Sequence, residues 1–237
     1  MISVGTWCDL FDNNPRPVLW SDGQAQALYC SACRFWSSSF VTDVCERCGK
    51  RLRPGYLNDL REAVWEMIRR TSGAIWMIQT RHGPSPAAGM GIPPGLSDRL
   101  WLAVGVSTQA DVDRLLVEGS QLWERRIGKL VLVAEPLLEP LDLRGLWKYV
   151  GWLIVGGEYR HATWSSHLCR LTNLANMYRL IEEARTYQVP VWVTQLGSWV
   201  IDPGLPNRRL TLDDPQGRTW DEWPSDLRIR ERPRMTR

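Results

Sequence analysis

The sequence has 237 residues, 44% of them hydrophobic, with 14 Trp and with 29 basic against 26 acidic side chains. That is enough apolar material for one large domain or two small ones, and it argues against disorder. A net charge of +3 is too small to argue for nucleic acid, and no apolar run approaches the roughly 20 residues that span a bilayer.

The chain opens on a predicted strand, Ile2–Trp7, with neither the charged nor the apolar region of a signal peptide. The expected location is the cytoplasm, that of the host cell if the gene belongs to a phage, with no membrane partner. About fifty residues then pass before the next periodic segment, against the roughly 2–6 usual in a βα connection. Residues 24–53 are read as an insertion holding four of the six cysteines.

The insertion carries Cys30-Ser31-Ala32-Cys33, then eleven residues, then Cys45-Glu46-Arg47-Cys48-Gly49-Lys50. Each Cys-x-x-Cys turn lets two thiolates grip one ion, and two such turns complete a tetrahedral shell. Structural zinc on Cys30, Cys33, Cys45 and Cys48 is expected. Two disulfides would need an oxidising compartment, and an iron–sulfur cluster suits the paired turns less well. Phe35, Trp36 and Phe40 lie between the turns, with Arg34, Arg47, Lys50, Arg51 and Arg53 around them. Either this hairpin packs its aromatics on the main domain, or it is a flap that contacts nucleic acid or substrate. Cys8 and Cys169 read as ordinary half-buried thiols.

A helix follows over Leu57–Arg70, with Leu57, Leu60, Val64, Met67 and Ile68 on one face. Strands are then expected at Ala74–Thr80, Leu100–Val106, Lys129–Ala134, Trp152–Gly156 and Val191–Gln195. All read as continuous apolar runs, the pattern of strands buried on both faces. Thr108 and Asp111 start a second helix that Gly119 can end. Leu174, Met177, Tyr178 and Ile181 stripe a third, which stops before Pro190. The alternation gives an α/β fold with a mainly parallel sheet; periodicity alone does not separate a doubly wound sheet from a partial barrel.

Residues 200–237 form a C-terminal extension, in which Arg228, Arg230, Arg232, Arg234 and Arg237 face a single opposing acid, Glu231. It reads as a solvated, frayed tail or as an arm for nucleic acid or an acidic partner. Truncation after Trp223 is therefore expected to leave the fold intact. The open sheet edge needs cover from residues 200–223, a second subunit or a partner chain.

Several segments, in order, resemble one phage and prophage family. They are Val4-Gly5-Thr6-Trp7-Cys8-Asp9-Leu10-Phe11, Met77-Ile78-Gln79-Thr80-Arg81, Leu102-Ala103-Val104-Gly105-Val106-Ser107, Ala134-Glu135-Pro136-Leu137-Leu138 with Leu141-Asp142-Leu143, Trp152-Leu153-Ile154-Val155-Gly156-Gly157-Glu158, and Val189-Pro190-Val191-Trp192-Val193-Thr194-Gln195-Leu196-Gly197. The family is the mycobacteriophage gp thirty-seven / gp sixty-eight type, similar to radical S-adenosylmethionine enzymes. The resemblance spans about residues 2–199 apart from the insertion. It implies a six-strand parallel (β/α) partial barrel of the TIM type, interrupted by the zinc ribbon. Family members begin with a cysteine arm that would hold an iron–sulfur cluster, and this sequence starts downstream of it. The cluster would then come from a separate polypeptide, or have been lost.

In such folds functional groups gather at the carboxyl ends of the strands. Those ends offer Asp9, then Gln79, Thr80, Arg81 and His82, then Ser107, Glu135, Glu158 and Gln195. By resemblance, Glu158 receives the amino group of S-adenosylmethionine and Glu135 holds a ribose or substrate hydroxyl. In the structural alternative, Glu135 and Glu158 cap helices or pair with Arg81 and Arg160. No catalytic residue is assigned; His161 and His167 make no credible metal set. The leading expectation is a radical-S-adenosylmethionine-like protein, intact or degenerate, that binds a small molecule or nucleotide at the rim. The other is a non-catalytic module in which the zinc ribbon and the Arg-rich tail contact nucleic acid or a protein.

Overall fold

The computed structural model describes residues 2–4, 16–19, 26–37, 43–80, 92–93, 95–123, 129–159, 169–205 and 209–234. Among them run β1 (Ile2–Val4), β2 (Leu28–Cys30), β3 (Phe35–Ser37), β4 (Arg53–Pro54), α1 (Leu57–Arg70), β5 (Trp76–Thr80), β6 (Leu100–Gly105) and α2 (Gln109–Trp123). There follow β7 (Leu130–Ala134), β8 (Val150–Val155), β9 (Thr172–Asn173), α3 (Leu174–Thr186), β10 (Val191–Val193), β11 (Val200–Ile201) and β12 (Arg209–Leu210).

The main sheet has the order β1-β5-β6-β7-β8-β10, and every neighbouring pair is parallel. These are the six expected strands. Because they are laid down in chain order, right-handed connections place their helices on one face. That face is the main core. Ile78, Leu102, Leu132, Leu153 and Val193 meet Ile68, Val112, Leu115, Met177 and Ile181 there, each 2% exposed or less.

The other face is apolar too. Trp101, Ala103 and Val131 are buried on it, with Met77, Val133, Trp152 and Ile154 half-buried beside them. Two apolar faces explain why the strands read as unbroken hydrophobic runs. Among the described residues β1 and β10 end the sheet without pairing to each other, so the sheet is parallel α/β and closure into a barrel is not part of the pairing.

Local chemistry sets the helix starts. The Asp111 carboxylate accepts hydrogen bonds from the backbone N–H groups of Ser107 and Thr108 and from the Thr108 hydroxyl. The Asn173 side chain accepts from Ala175 N at 3.0 Å. Gly119 does not stop α2, which runs on to Trp123; one helical glycine costs about 1 kcal/mol and is easily overridden.

The Arg-rich tail is not a frayed tail. Residues 229–231 run antiparallel along β10, with Val193 N donating to Ile229 O at 2.9 Å and Glu231 N to Val191 O at 2.8 Å. The Arg230 guanidinium stacks on Trp220 at 4.7 Å and on Trp192 at 5.4 Å. Arg228 donates to the carbonyls of Trp223 and Asp221. The tail itself therefore covers the β10 edge of the sheet; β1, beside which the missing first strand would lie, has no second partner strand among the described residues. Arginine reads as solvated in a sequence, yet its planar cation packs well on indole rings.

Candidate metal centre and carboxyl-end rim

The insertion folds as a three-stranded antiparallel sheet, β3-β2-β4. Its two cysteine turns face each other, and the four Sγ atoms lie within 4.8 Å of one another. Cys30 Sγ and Cys48 Sγ are 3.6 Å apart, and all four thiols are free. Tetrahedral zinc at about 2.3 Å from each sulfur puts sulfurs about 3.8 Å apart, so the cage has the right size.

Both turns end the same way. Gly49, after the second pair, has φ +68°, and Arg34, after the first, has φ +51°. Arg34 thus adopts a left-handed conformation that normally favours glycine. Crowding has an electrostatic cost as well. The Cys33 thiol is pushed up to about 12 by its hydrogen bond to Cys48, then by burial and by Cys30 and Cys45. A divalent ion reverses this, since it binds the deprotonated sulfurs. The four cysteines could hold a metal ion, and their geometry is compatible with zinc.

The ribbon is tied to the main domain at its second end. Arg53 on β4 forks onto Asp59 of α1 at 2.8 and 2.5 Å. Burial works to raise the Asp59 pKa, but the Arg53 guanidinium and the Tyr56 N–H together hold it below the ordinary value. Tyr29 is buried, and Trp36 lies against it with ring centroids 5.1 Å apart.

At the carboxyl ends of the strands, Glu135 Oε1 accepts a hydrogen bond from Gln195 Nε2 at 2.9 Å. Gln195 is 2% exposed and is fully used. Its Nε2 also donates to Gly157 O at 2.7 Å, and its Oε1 accepts from Gly157 N at 3.2 Å. Glu135, Gly156 and Thr194 lie one step beyond the paired ends of β7, β8 and β10, and Ser107 two steps beyond that of β6. By alternation they belong to the helix-free face. Gln79 lies on the same face further down β5, and its side chain has no partner among the described residues.

Glu158 stands apart from that group. It accepts from Arg170 N at 2.6 Å and pairs with the Arg170 guanidinium at 2.8 Å. This is an ion pair of the kind the structural alternative expects, here made with Arg170. The Gly156–Gly157 step serves the backbone: a Cβ on either residue would overlap Thr194 Oγ1 or Leu196 O. Asp9, Arg81, His82, Cys8, Arg160, His161 and His167 lie outside the described residues. Cys169 is buried, 3% exposed.

The sequence places Gln195 at the rim but does not show its bonds to Glu135 and Gly157, the Arg170 pairing or the tail strand. Only the last had a signal, the period-two alternation of Arg228-Ile229-Arg230-Glu231-Arg232-Pro233-Arg234. No helix among the described residues is long and apolar enough to cross a membrane.

Fold and site together define an α/β protein built on a parallel sheet and carrying a four-cysteine cluster suited to a metal ion. The chain belongs to the family described as protein of unknown function (DUF5131), which matches residues 54–224. That stretch begins after the ribbon cysteines and ends before the tail strand, and membership by itself brings neither a phage origin nor S-adenosylmethionine chemistry. No curated protein matches the chain, and no solved structure does.

Proposed function

We propose that this is a zinc-stabilised protein whose sheet curls as a partial (β/α) barrel and binds a small molecule or nucleotide at the carboxyl-end rim. The observation that carries the reading is Glu135. One of its oxygens is held by the buried Gln195, and the other has no partner among the described residues. A carboxylate fixed this way is pre-organised to accept a ligand hydroxyl, such as that of a ribose. Ser107 is the nearest candidate donor in the register, and Gln195 is a positioning residue. The resemblance to the radical-S-adenosylmethionine-like phage family supports an adenosyl ligand. An iron–sulfur cluster, where the system uses one, would be held by cysteines other than the four of the ribbon, whose spacing suits a single metal ion.

The test is calorimetric titration with S-adenosylmethionine and with adenosine nucleotides. Glu135→Ala is expected to weaken binding by about 10- to 100-fold, the worth of a charged hydrogen bond. Unchanged binding by Glu135→Ala would end the reading. The second reading, a zinc-ribbon module for nucleic acid or a protein partner, draws on the exposed Arg47, Lys50 and Arg51 beside the second turn. It predicts that removing residues 24–53 abolishes a salt-sensitive interaction.

A further inference from the structure

At the opposite end of the sheet, where β8 and β10 begin, lies a cavity of about 770 Å³. Four cations line it, Lys129, Arg185, Arg232 and Arg234, against one acid, Glu231. Glu231 is already committed, its Oε2 accepting Val191 N at 2.9 Å. None of the four cations forms an ion pair with a carboxylate among the described residues. All four are exposed. Among the described residues Arg185 and Arg234 make no side-chain hydrogen bond, ion pair or ring contact, while Lys129 and Arg232 rest on Trp101 and Trp192.

An aromatic surface lies in the same wall. Tyr187 is stacked flat on Trp147, with centroids 5.5 Å apart and planes at 13°, and stays 49% exposed. A ring fixed from behind and open in front is a stacking platform for a base.

We propose that this groove binds single-stranded nucleic acid, its phosphates on Lys129, Arg185, Arg232 and Arg234 and a base on Tyr187. A strand fits better than a free nucleotide for a physical reason. The groove faces the C-terminal end of α3, where Arg185 lies in the last turn and backbone carbonyls carry partial negative charge. A concentrated polyphosphate is disfavoured there, whereas a diester chain spreads its charge over outlying guanidinium groups. The proposal is independent of the rim ligand and of the metal.

The experiment is fluorescence anisotropy of the full chain with a labelled oligothymidylate over a salt series. Three or four phosphate contacts predict a slope of log K against log salt of about −2 to −3. The double variant Arg185→Gln with Arg234→Gln removes two exposed cations that make no hydrogen bond or ion pair among the described residues, so the cost to folding is small. It should weaken binding about tenfold or more at low salt and flatten the slope by about 1.4. Tyr187→Leu should weaken binding several-fold and leave the slope unchanged. Duplex DNA and mononucleotides should compete poorly. The proposal is overturned by absence of binding at low salt, by an unaltered double variant, by a mononucleotide competing as well as the oligonucleotide, or by loss of binding only in Arg47→Gln with Lys50→Gln.

Discussion

Ending the chain after Arg228 removes the strand that covers β10, and its effect can be worked from the contacts. Four hydrogen bonds disappear: Val193 N to Ile229 O, Glu231 N to Val191 O, Val191 N to Glu231 Oε2, and Trp152 Nε1 to Glu231 O. At about 1 kcal/mol net each, they contribute about 4 kcal/mol. Three guanidinium–indole contacts, Arg230 on Trp192 and Trp220 and Arg232 on Trp192, add about 2 kcal/mol. Burial of Ile229 and Pro233 adds roughly 2 kcal/mol. Ordering five backbone residues offsets about 5–6 kcal/mol of this. The truncated protein should therefore lose about 2–3 kcal/mol. For a domain of this size that lowers Tm by about 5–10 °C, read by circular dichroism on heating. The bare β10 edge should also promote self-association, seen by light scattering. A truncated protein that melts with the full chain and stays monodisperse would refute the docked tail.

Cys45→Ser should expel the ion, taking zinc from one per chain to near none by elemental analysis, and make the ribbon protease-sensitive while the main sheet stays folded; full zinc retention would contradict the cage. Asp59 and Asp111 both titrate below the ordinary 3.8 because their hydrogen bonds outweigh the opposing effect of burial. Their stabilisation is thus complete above about pH 4 and is lost as pH falls through the depressed folded-state values. Asp111→Asn should cost about 1 kcal/mol at neutral pH, and its Tm should fall less steeply than the parent's below pH 4. Glu158→Gln should cost about 1 kcal/mol through the Arg170 pair, whose arginine is largely solvated. Glu135→Gln should change stability by less, since an amide oxygen still accepts from Gln195; the reverse order in chemical denaturation would exchange the two roles.

Much of the sheet is legible in the sequence. Six apolar runs became six parallel strands, and Leu57–Arg70 became α1 residue for residue, because strong periodicity and burial on two faces leave few alternatives. The cysteine cage was legible for a related reason: ligand spacing is local, and each turn pairs cysteines three residues apart in the chain. The rim was legible only as a set of positions. Whether Glu158 serves a ligand or Arg170 depends on a contact twelve residues away, and Gln195 reaches Glu135 across sixty residues. No local pattern encodes such pairings. In the tail, composition and alternation point opposite ways, and alternation is the better guide. Five arginines suggest solvent, while the Ile229 and Pro233 between them mark a strand in which Arg230 and Arg232 lie on tryptophan rings.

The rim claim is tested most directly by amide hydrogen exchange with and without S-adenosylmethionine. Slowed exchange is expected at residues 105–107, 134–138 and 194–197, where Ser107, Glu135 and Gln195 follow β6, β7 and β10, and that protection should be lost in Glu135→Ala. Protection confined to the ribbon or to residues 185–190 and 231–234, with the three strand ends unchanged, would contradict it.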